Sequence, residues 1–170
     1  MLRDGTYGNL FIAQSQASFA DAEENANKFL EESVSVTNST TFVEIPALAY
    51  NFSSYEKFGF RYHIFFESGT TEDIKFTLRC PSETRIKYVP SNSLVIDSSG
   101  SIVANSTIAT SNNQTIVYGA PAATNYRLAE IVGVLEAGDV SGNLSIFFAQ
   151  NATGATTTKI LEDSFLQIIR

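Results

Sequence analysis

The sequence predicts an all-β, antiparallel sandwich preceded by an N-terminal arm and a short helix. Three observations lead there. Thr, Ser, Val, Ile and Phe are abundant, and these residue types suit strands. From Ser33 onward the hydrophobic period is two, over about ten short segments at intervals of roughly 8–12 residues. Clusters of Gly, Ser, Thr, Asn and Asp separate those segments, and no strand–helix–strand rhythm or internal repeat interrupts them.

The first thirty-odd residues differ from the rest. "MLRDGTYGNLFIAQSQ" carries Gly5, Gly8 and one apolar cluster, Leu10, Phe11 and Ile12, and reads as an extended arm. In "SFADAEENANKFLEES", Phe19, Ala22, Ala26, Phe29 and Leu30 recur at helical spacing. Ser18 and Asp21 resemble a capping box, and Asp21, Glu23 and Glu24 suit the positive end of a helix. The expected organisation is therefore an arm and short helix over 1–32 and a sandwich over 33–170.

"KFGFRYHIFFE" is the clearest strand. Phe58, Phe60, Tyr62, Ile64 and Phe66 point one way, and Lys57, Arg61, His63 and Glu67 the other. After the turn Glu67 to Asp73, "DIKFTLRC" places Ile74, Phe76, Leu78 and Cys80 inward and Lys75, Thr77 and Arg79 outward. The short Gly-containing loop predicts that these two strands pair. Pro81 ends the second, because proline cannot donate to the ladder. "TRIKYV" stops at Pro90. "SLVIDSSGSIVANSTIAT" reads as strand, turn, strand. "QTIVYG" is followed by the loop "GAPAATN". "YRLAEIVGVLEA" is apolar on both faces, which predicts a central strand. "NLSIFFAQN" puts Leu144, Ile146 and Phe148 on one face. "KIL" and "SFLQIIR" follow.

A chain of 170 residues fits one domain. It can bury roughly 70% of its unfolded surface, so it needs no disulfides. Its single cysteine, Cys80, reads as a buried core thiol. The net charge of −7 opposes nucleic-acid binding, which needs Lys and Arg to displace counterions. Met1 to Ile12 is too polar for a signal peptide, and no apolar run approaches the ~20 residues of a membrane span. The N-x-S/T sequences at Asn38, Asn51, Asn105, Asn113, Asn143 and Asn151 then read as loops and strand edges.

No catalytic constellation emerges. His63 is the only histidine and lacks the clustered Cys, Asp or Glu of a metal site. Ser98 to Gly100 is a turn without the lysine and helix of a phosphate loop. Glu23, Glu24, Glu31 and Glu32 suit a solvated helix face better than a glycosidase dyad. Arg79, Arg85 and Lys87 are explained by protection of a sheet edge. The expectation is a non-enzyme with no cofactor and no metal.

One resemblance adds a role. "GNLSIFFAQNATGATTTKILEDSFLQIIR" resembles the C-terminal end of a group of tailed-phage virion proteins. In these a Gly opens an alternating strand that closes on Ala-Gln-Asn, followed by a Thr-rich turn, a short strand, Gly-Ser and a last strand. Gly142, Ala149, Gln150, Asn151, Thr156 to Thr158 and Ser164 match, and Asp163 stands where the pattern usually has Gly. "VEIPALAYNFSSYEKFGFRYHIFFESGTTEDIKFTLRCP" is similar to the family's paired aromatic strands. The resemblance covers Thr41 to Arg170. It implies a jelly-roll sandwich, similar in strand pattern to tumour-necrosis-factor and complement-type trimers.

It also implies a capsid decoration or cement protein of a phage virion, made in the host cytoplasm. Such a protein binds the major capsid protein or other virion proteins and neighbouring copies, as a homo-oligomer and in first place a trimer. A tail- or fibre-associated receptor- or carbohydrate-binding module is the alternative. The arm residues Leu10, Phe11, Ile12, Phe19, Phe29 and Leu30 are the expected partner contacts. The Ala-Gln-Asn end is expected to pack its small and amide side chains against a neighbour or a turn.

Overall fold

The computed structural model describes residues 27–91, 94–96, 102–104, 113–119 and 126–170. Leu10, Phe11, Ile12, Phe19, the helix before residue 27, the turn Ser98 to Gly100 and most of the loop after Tyr118 lie outside them.

The described residues form fourteen strands: β1 (Asn27–Phe29), β2 (Val34–Val36), β3 (Val43–Glu44), β4 (Tyr50–Phe52), β5 (Lys57–Glu67), β6 (Ile74–Arg79), β7 (Arg85–Pro90), β8 (Leu94–Ile96), β9 (Ile102–Ala104), β10 (Thr115–Tyr118), β11 (Arg127–Glu136), β12 (Gly142–Gln150), β13 (Thr158–Ile160) and β14 (Phe165–Ile169). The larger sheet has seven strands and runs β1-β14-β5-β11-β7, with β13 joining β5 to β2. The smaller has five and runs β10-β6-β12-β3, with β4 also on β12. β8 and β9 pair with each other, as the strand–turn–strand reading expects. Every pairing is antiparallel. The fold is the expected all-β sandwich.

Alternation decides the core. Phe58, Phe60, Tyr62, Ile64 and Phe66 of β5 are all buried, as their period predicts. They meet Ile74, Phe76 and Leu78 of β6 and Leu144, Ile146 and Phe148 of β12, all fully buried. Phe66 packs edge-on to Phe76 at 6.4 Å and Tyr118 at 6.3 Å, which joins the two sheets. Burying each such side chain is worth about 1.5–3 kcal/mol. The buried phenols find acceptors: Tyr62 donates to the Leu48 carbonyl, Tyr88 to that of Gln114 and Tyr118 to that of Glu130. Burial pushes Tyr88 up to about 12 and raises Tyr62 and Tyr118 as well. β11 is central, between β5 and β7, as its two-sided apolar pattern predicts.

Several expectations are corrected. β5 and β6 do not pair; they lie in different sheets, and the segment between them crosses the sandwich. Both strands carry a fully apolar inner face, and placing them in opposite sheets lets those faces meet. The expected helix does not reach Phe29 and Leu30. Asn27 to Phe29 is a strand on β14, and Leu30, 4% exposed, plugs the core. The Leu30 N–H donates to the Ser164 carbonyl at 2.8 Å, and the Asp163 N–H to the Leu30 carbonyl at 3.0 Å. Pairing thus begins N-terminal to residue 33. Thr77 is buried although it faces outward, with Phe147 and Thr115 opposite it on either side. Cys80 is half-buried against the core.

The Ala-Gln-Asn end packs against turns of its own chain. Gln150 is fully buried. Its Oε1 accepts from the Ser39 N–H at 2.9 Å, and its Nε2 donates to the carbonyls of Gly154 at 3.2 Å and Thr156 at 2.6 Å. The N–H groups of Asn151 and Ala152 both donate to the Glu72 carbonyl at 2.9 Å. The Glu72 carboxylate accepts from the Thr71 hydroxyl at 2.8 Å and the Thr156 N–H at 3.3 Å. The Thr71 bond chiefly holds this carboxyl below its usual range, with burial opposing. A Cβ at Gly69 or Gly154 would overlap that carboxylate, so a side chain at either position would displace Glu72 from these bonds. Asp163 has φ 65°, so the turn keeps the left-handed conformation that glycine would adopt there.

Candidate functional site

The outer face of the larger sheet is the candidate site. Strand register builds it. Opposite residues of an antiparallel pair share a face, so Phe29, Phe165, His63 and Glu130 form one row across β1, β14, β5 and β11. Asn27, Gln167, Arg61 and Val132 form the next. Phe65 and Leu128 lie beyond the first row, and Ile169, Gly59 and Val134 beyond the second.

The first row is aromatic. His63 stacks on Phe165 with centroids 4.5 Å apart and an interplanar angle of 21°. Phe165 meets Phe29 at 5.6 Å and 36°. Phe29 is 55% exposed. Glu130 closes the row. Its Oε1 lies 3.5 Å from His63 Nε2 and 3.6 Å from Arg61 Nε, and its Oε2 accepts from the Ser91 hydroxyl. The Glu130 backbone carbonyl accepts from the Ser91 N–H and the Tyr118 hydroxyl, both at 2.8 Å. These bonds fix the carboxylate and the imidazole on the sheet surface.

Ser91, Glu130 and His63 are not arranged as a hydrolase triad. A nucleophilic serine needs the imidazole between itself and the carboxylate. Here the carboxylate lies between, so His63 has no path to the Ser91 proton. What the arrangement offers is a rigid surface that is part aromatic and part hydrogen-bonding. Among the described residues no group of three or more His, Cys, Asp or Glu is placed to hold a metal ion.

Of the expected contact residues, Phe29 stands on this face. Leu30 does not: it is spent in the core beside Ser164 and is closed to a partner. Leu10, Phe11, Ile12 and Phe19 lie outside the described residues. Sequence reasoning missed Phe65, Phe165, Ile169, Leu128, Val134, Gln167 and Glu130. A signal was present in "SFLQIIR" and "HIFFE", where apolar residues sit on both faces of strands that one buried face explains only in part.

No protein-family model matches the chain, and no curated protein matches it. Among solved structures, a chain of infectious bursal disease virus Gx strain aligns with 86% of this chain at 11% identity. The TM-score is 0.20, and the alignment spans 40% of the viral chain. A likeness of that size bears on neither fold nor function.

Proposed function

We propose that this chain is a non-enzymatic virion structural protein of a tailed phage, a capsid decoration or cement protein that binds the particle and neighbouring copies. One observation carries the contact role. Of eight exposed large hydrophobic residues among the described ones, five (Phe29, Phe65, Leu128, Val134 and Ile169) share the outer face of the larger sheet. Soluble monomers rarely leave such a patch uncovered, and it marks an interaction surface. The phage assignment rests on the Ala-Gln-Asn ending and the strand pattern of Thr41 to Arg170. In this reading the outer face meets other subunits, three to an assembly by the same resemblance. The segment with Leu10, Phe11, Ile12 and Phe19 reaches the major capsid protein or another virion protein.

Mass spectrometry of purified particles tests the proposal. Hundreds of copies per particle are expected. A few copies would move the protein to the tail or fibre, the second reading, which the aromatic row beside a fixed carboxylate also suits. Its absence from particles would overturn both.

A further inference from the structure

We infer that His63 makes the contact between copies of this chain pH-sensitive, and that protonating it weakens that contact. The inference rests on the reading of the outer face of the larger sheet as the surface that meets other subunits. It adds the group on that face that governs when copies associate.

His63 and its charged neighbours stand at the centre of the face. Along the strands, Phe65 and Leu128 lie one step beyond the row of His63 and Glu130, and Gly59, Val134 and Ile169 lie one step beyond Arg61. Phe165 and Phe29 flank His63 across β14 and β1. Residues two apart on a strand are separated by roughly 6.7 Å, so the two apolar flanks are about 20 Å apart, with His63, Glu130 and Arg61 between them. The exposed members of these flanks, Phe65 and Leu128 on one side and Val134 and Ile169 on the other, are what a partner covers. A partner that covers both flanks also covers the three polar groups and takes their charges out of water.

Those charges balance in one protonation state only. Glu130 Oε1 lies 3.6 Å from Arg61 Nε and 3.5 Å from His63 Nε2, and Glu130 Oε2 accepts from the Ser91 hydroxyl. With His63 neutral, one carboxylate meets one guanidinium. With His63 protonated, two cations share one carboxylate oxygen, and one positive charge is in excess. No further charge faces the ring from the strands around it. β14 and β1 present Phe165, Gln167, Phe29 and Asn27, β11 adds Leu128 and Val132, and β5 adds Phe65. Covering an uncompensated charge is costly, and every copy in the contact brings the same excess. Association therefore takes up the neutral imidazole and releases the proton. Histidine is the side chain whose charge ordinarily changes between about pH 5 and 8, and His63 is the only one in the chain. Its side chain is 20% exposed, so solvent protons reach it before a partner covers it. The stack on Phe165 accepts the neutral or the protonated ring, so protonation acts on the contact and leaves the fold intact.

Sedimentation velocity of the full chain, over a concentration series at pH ~7.5 and ~5.5 in the same salt, tests the inference on either side of the histidine range. Association should be about tenfold or more weaker at the lower pH, because a contact that releases one proton per histidine loses up to about tenfold in affinity per pH unit. His63→Gln and His63→Phe, the second of which keeps a ring on Phe165, should associate equally at both pH values. Circular dichroism at each pH shows whether every chain is folded. Wild-type association that is unchanged or stronger at the lower pH overturns the inference and leaves the contact-surface reading standing. A pH dependence that persists in either variant, or that accompanies unfolding, does the same. A wild-type chain that is monomeric at both pH values overturns the inference and the self-contact reading together.

Discussion

Gln150→Ala should be among the most damaging single substitutions outside the apolar core. The side chain is fully buried and makes three hydrogen bonds to backbone groups of two segments, at Ser39 and at Gly154 and Thr156. Each is worth about 1 kcal/mol net, and a buried group stripped of its partner costs about 1–3 kcal/mol. Alanine also leaves a small cavity. The sum is about 3–5 kcal/mol, a large part of the roughly 5–15 kcal/mol that holds a domain together. Urea unfolding is the assay, with the midpoint lowered and the slope unchanged. Gln150→Met keeps most of the volume and removes the bonds, so it should retain about 2 kcal/mol or more of the loss. Loss below about 1 kcal/mol in Gln150→Ala would refute the reasoning, because the turns would then be held by Glu72 and the backbone without the amide.

Other outcomes follow from the same geometry. Phe60→Ala should cost about 3–5 kcal/mol, whereas Phe65→Ala, on the outer face of the same strand, should cost under about 1; equal melting points for the two variants would contradict the register of β5. Asp163→Gly should melt within a few degrees of wild type or above it, and Asp163→Val should lose about 1–3 kcal/mol, because a β-branched residue is strained at φ 65°. Tyr50 and Tyr88 are raised to about 12, both chiefly by burial, while an unfolded tyrosine ionises near ~10. Their contribution to stability is therefore complete below pH ~10 and is lost as pH rises towards 12; phenolate absorbance and loss of β-sheet circular dichroism should coincide. Removing residues 1–26 should leave a cooperatively folding sandwich with weaker particle incorporation. Removing 1–32 also extracts Leu30 from the core, and should lower the melting point further.

The inner half of this fold was legible because burial writes a period of two into the chain. Five alternating apolar residues on β5 and three on β12 permit only one orientation. β1 was not legible. Asn27, Lys28 and Phe29 are all exposed and carry no period. What makes them a strand is the ladder to β14 and the Leu30 plug, both supplied by residues more than 130 positions away. The partnership of β5 was misread for a related reason. A short loop between alternating segments looks the same whether the chain returns along one sheet or crosses to the other. The Ala-Gln-Asn motif was visible as a pattern, but its purpose depended on Ser39 and Glu72, which no local rule connects to Gln150.

The candidate site depends on register even more than the core does. Asn27, Gln167 and Arg61 align only because β1 and β14 are added to β5 in one phase. A slip of one residue would send Phe29 and Phe165 inward and bring Leu166, now fully buried, to the outer face. Nothing on the exposed face is strong enough to prevent such a slip. The inner face is: Leu166 and Ile168 are fully buried against Tyr62 and Phe60 of β5, and Leu30 fills the core at the end of β1. The hydroxyl of Tyr118, on the smaller sheet, reaches across the core to the backbone carbonyl of Glu130, so the site carboxylate is tied to both layers. The surface chemistry is thus positioned by core packing. Such a surface can acquire a ligand by changing residues on the outer face alone, while the buried alternation that sets its register stays untouched.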